Sequence, residues 1–431
     1  MTSTRTAVVG GGMLGLTVAL RLAQQGDAVT VFEAGSTLGG LAAPWTVGEV
    51  RWDRHYHVTL TSDQHLRALL AELGLDDLIQ WRITSTGYYA GDAIYPVSGP
   101  IDFLKLPPLT IIDKARLAMT LAYGTLIRNG RRMEGIGVDE WLVRWSGRST
   151  YQKFWLPLLR AKLGDNHEHA SAAFIWATIQ RLTRARRNGL AEERFGYVPG
   201  GYDRVLEVFA ERLDALGVEI CTGEPVTEVA GGTPVTVSVE GVPHREFDRA
   251  VVTVAAPLAA RIVEPLTPGE RDRLERVRMQ GIVCASLVLD APLTEHYLTY
   301  ITDLGCPFTA VVDMSALVGA EALGGHGLVY LPKYVDPHDP LFEVGDEELV
   351  DGFVSYLGTM YPDLTADRIV ATRVSRVRHV MAIATEHYSD GLPPMRLDTP
   401  NVHLANSAHL VNATLNVDET VALAERVVVD L

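Results

Sequence analysis

Thr6-Ala7-Val8-Val9-Gly10-Gly11-Gly12-Met13-Leu14-Gly15 begins the stretch whose reading decides the fold, and it runs on to Ala28-Val29-Thr30-Val31-Phe32-Glu33. The β-branched run ending at Val9 predicts a short strand. Leu16, Ala19, Leu20 and Ala23 then recur at helical spacing up to Gly26, and Ala28 to Phe32 predicts a second strand. Each position in this strand, turn, helix and strand has a physical task. Gly10 permits the tight turn, Gly12 lets the backbone approach a pyrophosphate, and Gly15 lets helix and strand pack closely. The free N–H groups at the helix start, around Met13 and Leu14, carry the positive end of the dipole towards the phosphates. Glu33 is placed to accept hydrogen bonds from a ribose diol. The stretch predicts a dinucleotide-binding unit; the alternative is a merely structural turn.

Leu38-Gly39-Gly40-Leu41-Ala42 follows within a few residues, and its paired glycines let the backbone run beside the same pyrophosphate from the other side. On these residues the chain resembles the FAD-binding amine-oxidase superfamily, which includes protoporphyrinogen oxidase, phytoene desaturase and UDP-galactopyranose mutase. The resemblance implies an α/β fold: a Rossmann-like FAD-binding domain of the GR2 type with an inserted α+β substrate domain. It implies FAD contacts at Gly10, Gly12, Met13, Leu14, Gly15, Glu33, Gly39, Gly40 and Leu41. It further implies a backbone contact from Val226 to adenine, Gly200-Gly201 near the flavin, and Asn406 at a turn before the last helix. Leu41 stands where many relatives carry a basic residue.

The cofactor domain is expected to be discontinuous, at 1–75, 196–265 and 380–431. Strands are expected at Val218 to Ile220, Pro225 to Val229, Val235 to Val239 and Ala250 to Val254, forming one sheet segment. The intervening 76–195 reads as mostly helical, including Ile112 to Ile127, and 266–379 as sheet-containing, with strands at Ile282 to Asp290, Tyr297 to Ile301 and Leu328 to Tyr334. Ile112 to Ile127 is apolar enough to touch a membrane surface, but Asp113, Lys114 and Arg116 near its start favour a buried amphipathic helix.

Composition narrows the function. A chain of 431 residues can bury a sizeable core without disulfides or a structural metal. Asp plus Glu total 53 against 38 Lys plus Arg, a net −15, which argues against a general nucleic-acid binder. Cys221, Cys284 and Cys306 have no CxxC spacing, so neither a zinc knuckle nor a dithiol motif is available. The sparse count suits a reducing compartment and a cytoplasmic protein, and no apolar run reaches the ~18 residues of a transmembrane segment. An oligomer is compatible with all of this. No cysteine follows Cys306, so the C-terminal cysteinyl-flavin link of some relatives is unavailable and the implied FAD is noncovalent. No second GxGxxG supports a nicotinamide domain.

Three groups of residues are candidates for the chemistry. Asp53-Arg54-His55-Tyr56-His57 lies where relatives run a strand beneath the isoalloxazine, and on a strand His55 and His57 would share one face. They read as facing flavin or substrate, as structural histidines, or as metal ligands, although no third ligand is evident and no metal is expected. Arg181, Arg184, Arg186 and Arg187, with Arg160 and Lys162, read as an attractor for an anionic small molecule or as a solvated helix face. Tyr297, Tyr300, Lys333 and Tyr334 fall on strands that the resemblance places over the flavin, with Lys333 a candidate for the lysine that in several relatives holds a water near N5. Arg378 and His379 are comparable candidates.

The reading is therefore an FAD-dependent oxidoreductase that takes hydride at flavin N5 from a carbon next to nitrogen, oxygen or an extended π-system. Oxygen or another acceptor would reoxidise the flavin. The alternatives are a non-redox enzyme of the galactopyranose-mutase type acting on a sugar or sugar nucleotide, and a non-catalytic flavin-binding protein.

Overall fold

The computed structural model describes residues 3–97, 102, 105–187 and 194–431, apart from the side chains of 182 and 184–187. Arg5–Val9 pairs in parallel with Ala28–Glu33 on one side and Arg249–Val252 on the other. Glu219–Thr222 and Val402–Leu404 extend the sheet outward, again in parallel, to five strands. Such strands are buried on both faces, which is why they read as apolar runs. Val8, Val29 and Val31 pack with the helices Met13–Gln24, Gly201–Ala215 and Val417–Val429. Ala7, Val9, Phe32 and Val252 point the other way and meet Val229, Val237 and Phe247 of a second layer.

That second layer corrects the expected single sheet segment. Glu219–Thr222 and Arg249–Val252 join the parallel sheet, whereas Val226–Ala230 and Val235–Val239 pair with Val242–Phe247 and Val263–Glu264 in a separate four-stranded sheet. The burial pattern explains the division. Val235–Val239 alternates buried and half-buried residues, as a strand covering one face must, while Ala250 to Val252 is buried throughout.

A large sheet runs in the order Ile369–Ala382, Met279–Leu289, Gly327–Val335, Ala310–Asp313, His296–Ile301, Ser85–Ala90, Ala93–Pro96. Its last two strands come from the region expected to be mostly helical. They are joined by Gly91-Asp92, both at positive φ (57° and 64°), the geometry of a two-residue hairpin turn. On one face of the sheet, Val283 and Leu287 pack against the helix Asp346–Met360; on the other, Ile282, Cys284 and Tyr330 meet Trp52 and Tyr197. The helices Ile111–Leu126, Val138–Thr150, Leu156–Leu163 and Ala172–Arg187 form a further layer around Trp141, Trp155 and Trp176. Ile111–Leu126 buries one face, as an amphipathic helix does, through Asp113, Leu117, Thr120 and Gly124 with Tyr123 stacked on Trp145, and leaves the opposite face exposed. No helix among the described residues is long and apolar enough to cross a membrane.

Candidate functional site

The glycine turn is built by close approach. Gly15 lies against the turn so tightly that a Cβ there would sit 1.9 Å from the Gly10 carbonyl oxygen. Gly12 is different. It has an ordinary φ of −75°, and a Cβ on it would meet nothing nearer than Gly40 Cα at 3.9 Å. Gly12 bridges to Gly39, and Gly39 N donates to Gly11 O at 2.8 Å, so the two glycine segments face each other. Together they leave a side-chain-free slot over the start of Met13–Gln24, a helix with no side-chain cap and no acid in its first turn. Met13 and Leu14 bury their side chains in the core, which leaves their backbone N–H groups to face the slot.

Both oxygens of Glu33 accept backbone N–H groups, from Gly11 and Gly35, each at 2.7 Å. Gly223 N donates to Gly35 O and Glu224 N to Glu33 O, bringing the chain that leads into Val226 alongside Glu33. Leu41 is half-buried and brings no charge to the slot. Arg54 does. It reaches back from the end of the hairpin Pro44–Val47/Val50–Asp53 to donate from Nη2 to Gly40 O at 2.5 Å. Its Nε is buried without a partner, and burial, followed by the nearby Arg373, lowers its pKa, with Glu33 opposing. A buried unpaired donor beside a glycine slot fits an anionic diphosphate. Sequence reasoning passed over Arg54, although the missing cation at Leu41 was a signal that one had to come from elsewhere.

Asn406 is buried, donates from Nδ2 to Val254 O and accepts Ala408 N, so its side chain is used in fixing the turn. Asn416 caps the final helix by accepting Glu419 N at 3.0 Å.

His55 and His57 do not lie on a strand. The strand ends at Asp53, the chain from Arg54 to Val58 is irregular, and the two rings find different partners. His55 Nε2 lies 3.3 Å from Ser375 Oγ, and its Nδ1 is buried without a partner. His57 Nδ1 lies 2.9 Å from His55 O, and its ring packs on Tyr202 at 5.0 Å. Burial lowers His55 to about 3 and His57 to about 4, so both are neutral at pH 7. No group of three metal-ligating residues occurs among the described residues. Asp53 accepts Tyr202 N at 2.7 Å at the start of Gly201–Ala215, and burial raises its carboxyl to about 8. Asp53, His57, Tyr197 and Tyr202 line a cavity of about 20 Å³, room for one water molecule.

Between the histidines, the Tyr56 hydroxyl lies 3.3 Å from that of Tyr334. The Lys162 ammonium sits over both rings, 5.7 and 5.6 Å from their centroids. Tyr334 in turn lines a cavity of about 600 Å³ with Arg160, Arg278 and Lys333. Thus Lys333, Tyr334 and Arg160 come together. Lys333 donates to Cys306 O at 3.4 Å, and Arg160 Nε is buried without a partner. The other candidates lie elsewhere. Arg181 pairs with Asp63 at 3.4 Å. Tyr300 packs against the helical layer. Arg378 stacks on Phe342 and pairs with Glu343, and His379 is half-buried. The side chains of Arg184, Arg186 and Arg187 lie outside the described residues.

This combination of a parallel sheet and a glycine turn at a helix start defines a dinucleotide-binding fold. The family model for flavin-containing amine oxidoreductases matches residues 14–427, and the chain belongs to that family. It is an FAD-dependent oxidoreductase with the FAD-binding fold and an added substrate domain. It is 25% identical over 350 residues to AofH of Mycobacterium tuberculosis, whose name puts it among flavin-containing monoamine oxidases; the match covers 77% of this chain and 70% of AofH. A structure from Exiguobacterium sp. 255-15, named for protoporphyrinogen oxidase, superposes with a TM-score of 0.79 at 18% identity, covering 100% and 99% of the two chains. Reduced UDP-galactopyranose mutase superposes at 0.77 with 14% identity, covering 99% and 95%.

Proposed function

We propose that this chain oxidises a small polar molecule bearing an acidic group, removing hydride from a carbon bonded to nitrogen or oxygen or adjoining a π-system. The observation that carries the reading is the linkage of two sites. The slot over Gly12 and Gly40 adjoins the Arg54–His57 segment, and that segment meets the 600 Å³ cavity through the Tyr56–Tyr334 pair. FAD, when bound, supplies the hydride acceptor. The backbone at Gly10, Gly12, Met13, Leu14, Gly15, Gly39, Gly40 and Leu41 would hold its pyrophosphate, with Arg54 as the added cation. Glu33 would take a ribose, the Val226 backbone the adenine, and Asn406 would hold the turn beside the flavin.

The protein's own residues do the rest. Arg160, Arg278 and Lys333 line the cavity without an ion-pair partner among the described residues, which suits an anionic group on the substrate. Asp165, Glu168, Asp303, Asp336 and Asp339 line the same cavity, outnumber those cations, and suit a remainder with hydrogen-bond donors or positive charge rather than a hydrocarbon. His57 lines the smaller cavity beside Asp53, and burial holds both it and His55 neutral. The test is to add candidate carboxylates and phosphates without oxygen and record the visible spectrum. Bleaching of the yellow colour by a substrate alone supports the reading. Turnover only after chemical reduction of the protein would favour the mutase type instead.

A further inference from the structure

Trp52 and Asp53 end the strand Val50–Asp53, just ahead of Arg54, and their side chains converge on the smaller cavity. Trp52 is 3% exposed and Asp53 2%, and both line the cavity of about 20 Å³ with His57, Gly201 and Tyr202. Gly201 shows how closely they approach. It sits at φ 66°, and a Cβ on it would lie 2.7 Å from Asp53 Oδ1 and 3.3 Å from Trp52 Cε2. Cε2 is the ring carbon bonded to the indole nitrogen, so the N–H edge of Trp52 and the carboxyl of Asp53 border one space.

The hydrogen bonds within that space do not balance. Trp52 Nε1 is buried without a partner, although an indole N–H is a donor that needs an acceptor once it leaves solvent. Asp53 uses Oδ1 to accept Tyr202 N at 2.7 Å. Its Oδ2 lies 3.9 Å from His57 Nδ1, beyond direct hydrogen-bond reach, and that ring nitrogen is already 2.9 Å from His55 O. One donor thus lacks an acceptor, and one carboxyl oxygen lacks a donor among the described residues. A water molecule needs roughly 10–15 Å³ and two to four polar partners, which this cavity supplies, and it has no room for a larger ligand.

We propose that this cavity is a binding site for a single internal water, which accepts the Trp52 indole N–H and donates to the Asp53 carboxyl. Because Asp53 also holds Tyr202 N, that water ties the hairpin end to the first turn of Gly201–Ala215. The site needs no flavin, so it stands or falls apart from the redox reading. A high-resolution crystal structure of the holoprotein should show one water within about 3.2 Å of both Trp52 Nε1 and an Asp53 carboxyl oxygen. A cavity without density, or density that touches neither group, would overturn the proposal. Nuclear magnetic resonance of tryptophan-labelled holoprotein tests the same site in solution. The Trp52 indole proton, identified as the resonance missing from Trp52→Phe, should cross-relax with water with the sign of a long-lived bound molecule and not of proton exchange. Absence of that signal in wild type also overturns the site, whether or not Trp52→Phe folds. In crystals Asp53→Asn, which keeps an acceptor, should retain the water, and Trp52→Phe should lose it. A water that stays in place in Trp52→Phe would show that the indole is not its partner and refute the assignment.

Discussion

Gly12→Ala separates what the fold needs from what the cofactor needs. At Gly12 the backbone sits at φ −75°, ψ 173°, open to any L-residue, and the added Cβ meets only Gly40 Cα at 3.9 Å, an ordinary contact. The protein itself therefore loses only the preference of a helix N-cap for glycine over alanine, roughly 0.5–1 kcal/mol. In a chain of this size that moves the melting temperature of the cofactor-free protein by about 2 °C or less. For FAD the same methyl group stands in the slot. Ligand at 100 times its Kd stabilises by about 2.7 kcal/mol, and a ~100-fold weaker Kd reduces that to about 0.4 kcal/mol. Thermal melting of cofactor-free protein with and without added FAD reads both quantities. Gly12→Ala should melt near wild type without FAD and lose the FAD-induced rise. The control is Gly15→Ala, whose Cβ would lie 1.9 Å from Gly10 O and which should lower the melting temperature even without FAD. A full FAD-induced rise in Gly12→Ala would refute the assignment of the slot. So would a loss of stability as large as that of Gly15→Ala.

Arg54→Met should weaken FAD binding by about 10- to 100-fold, the worth of a hydrogen bond to a charged group, with Arg54→Lys recovering part of it in a fluorescence titration. His57, held at about 4 against 6.5 unfolded, contributes stability that is present above pH 6.5 and lost as pH falls towards 4. His57→Gln should flatten the fall of melting temperature over that window. Asp53, raised to about 8 from 3.8, acts in the opposite sense: its contribution is present below pH 3.8 and lost as pH rises towards 8, and Asp53→Asn should remove that loss while still accepting Tyr202 N. Arg160→Leu and Lys333→Met should raise the KM for an acidic substrate at least ~10-fold while leaving flavin content unchanged, since both line the cavity and not the slot.

What could be read from the sequence was what local backbone geometry dictates. Gly10, Gly12 and Gly15 are spaced by the demands of one turn and one helix, so the first parallel pair and the dinucleotide reading follow from neighbours in the chain. Arg54 was not legible because a hairpin carries it back to Gly40, and no spacing rule records that return. The strand Ile369–Ala382 was missed for another reason. It is an edge strand bearing Arg373, Arg376 and Arg378, so its pattern is that of a charged surface and not of a core. Ser85–Ala90 and Ala93–Pro96 were missed in a region read as mostly helical, although Gly91-Asp92 between tyrosine-bearing runs is a hairpin signal. The histidines were misread through one assumption, that a strand continues past Asp53; without it, the rule placing alternate residues on one face has nothing to act on. Lys162 shows the same limit at the level of the site. It stood beside Arg160 as part of a basic run, and only tertiary packing lays it across Tyr56 and Tyr334.

The most direct test of the central claim is the flavin itself. Heat-denatured protein should release into the supernatant one FAD per chain, free of any covalent bond to protein. Flavin that stays with the precipitate, or a colourless protein that takes up no added FAD, would contradict the account.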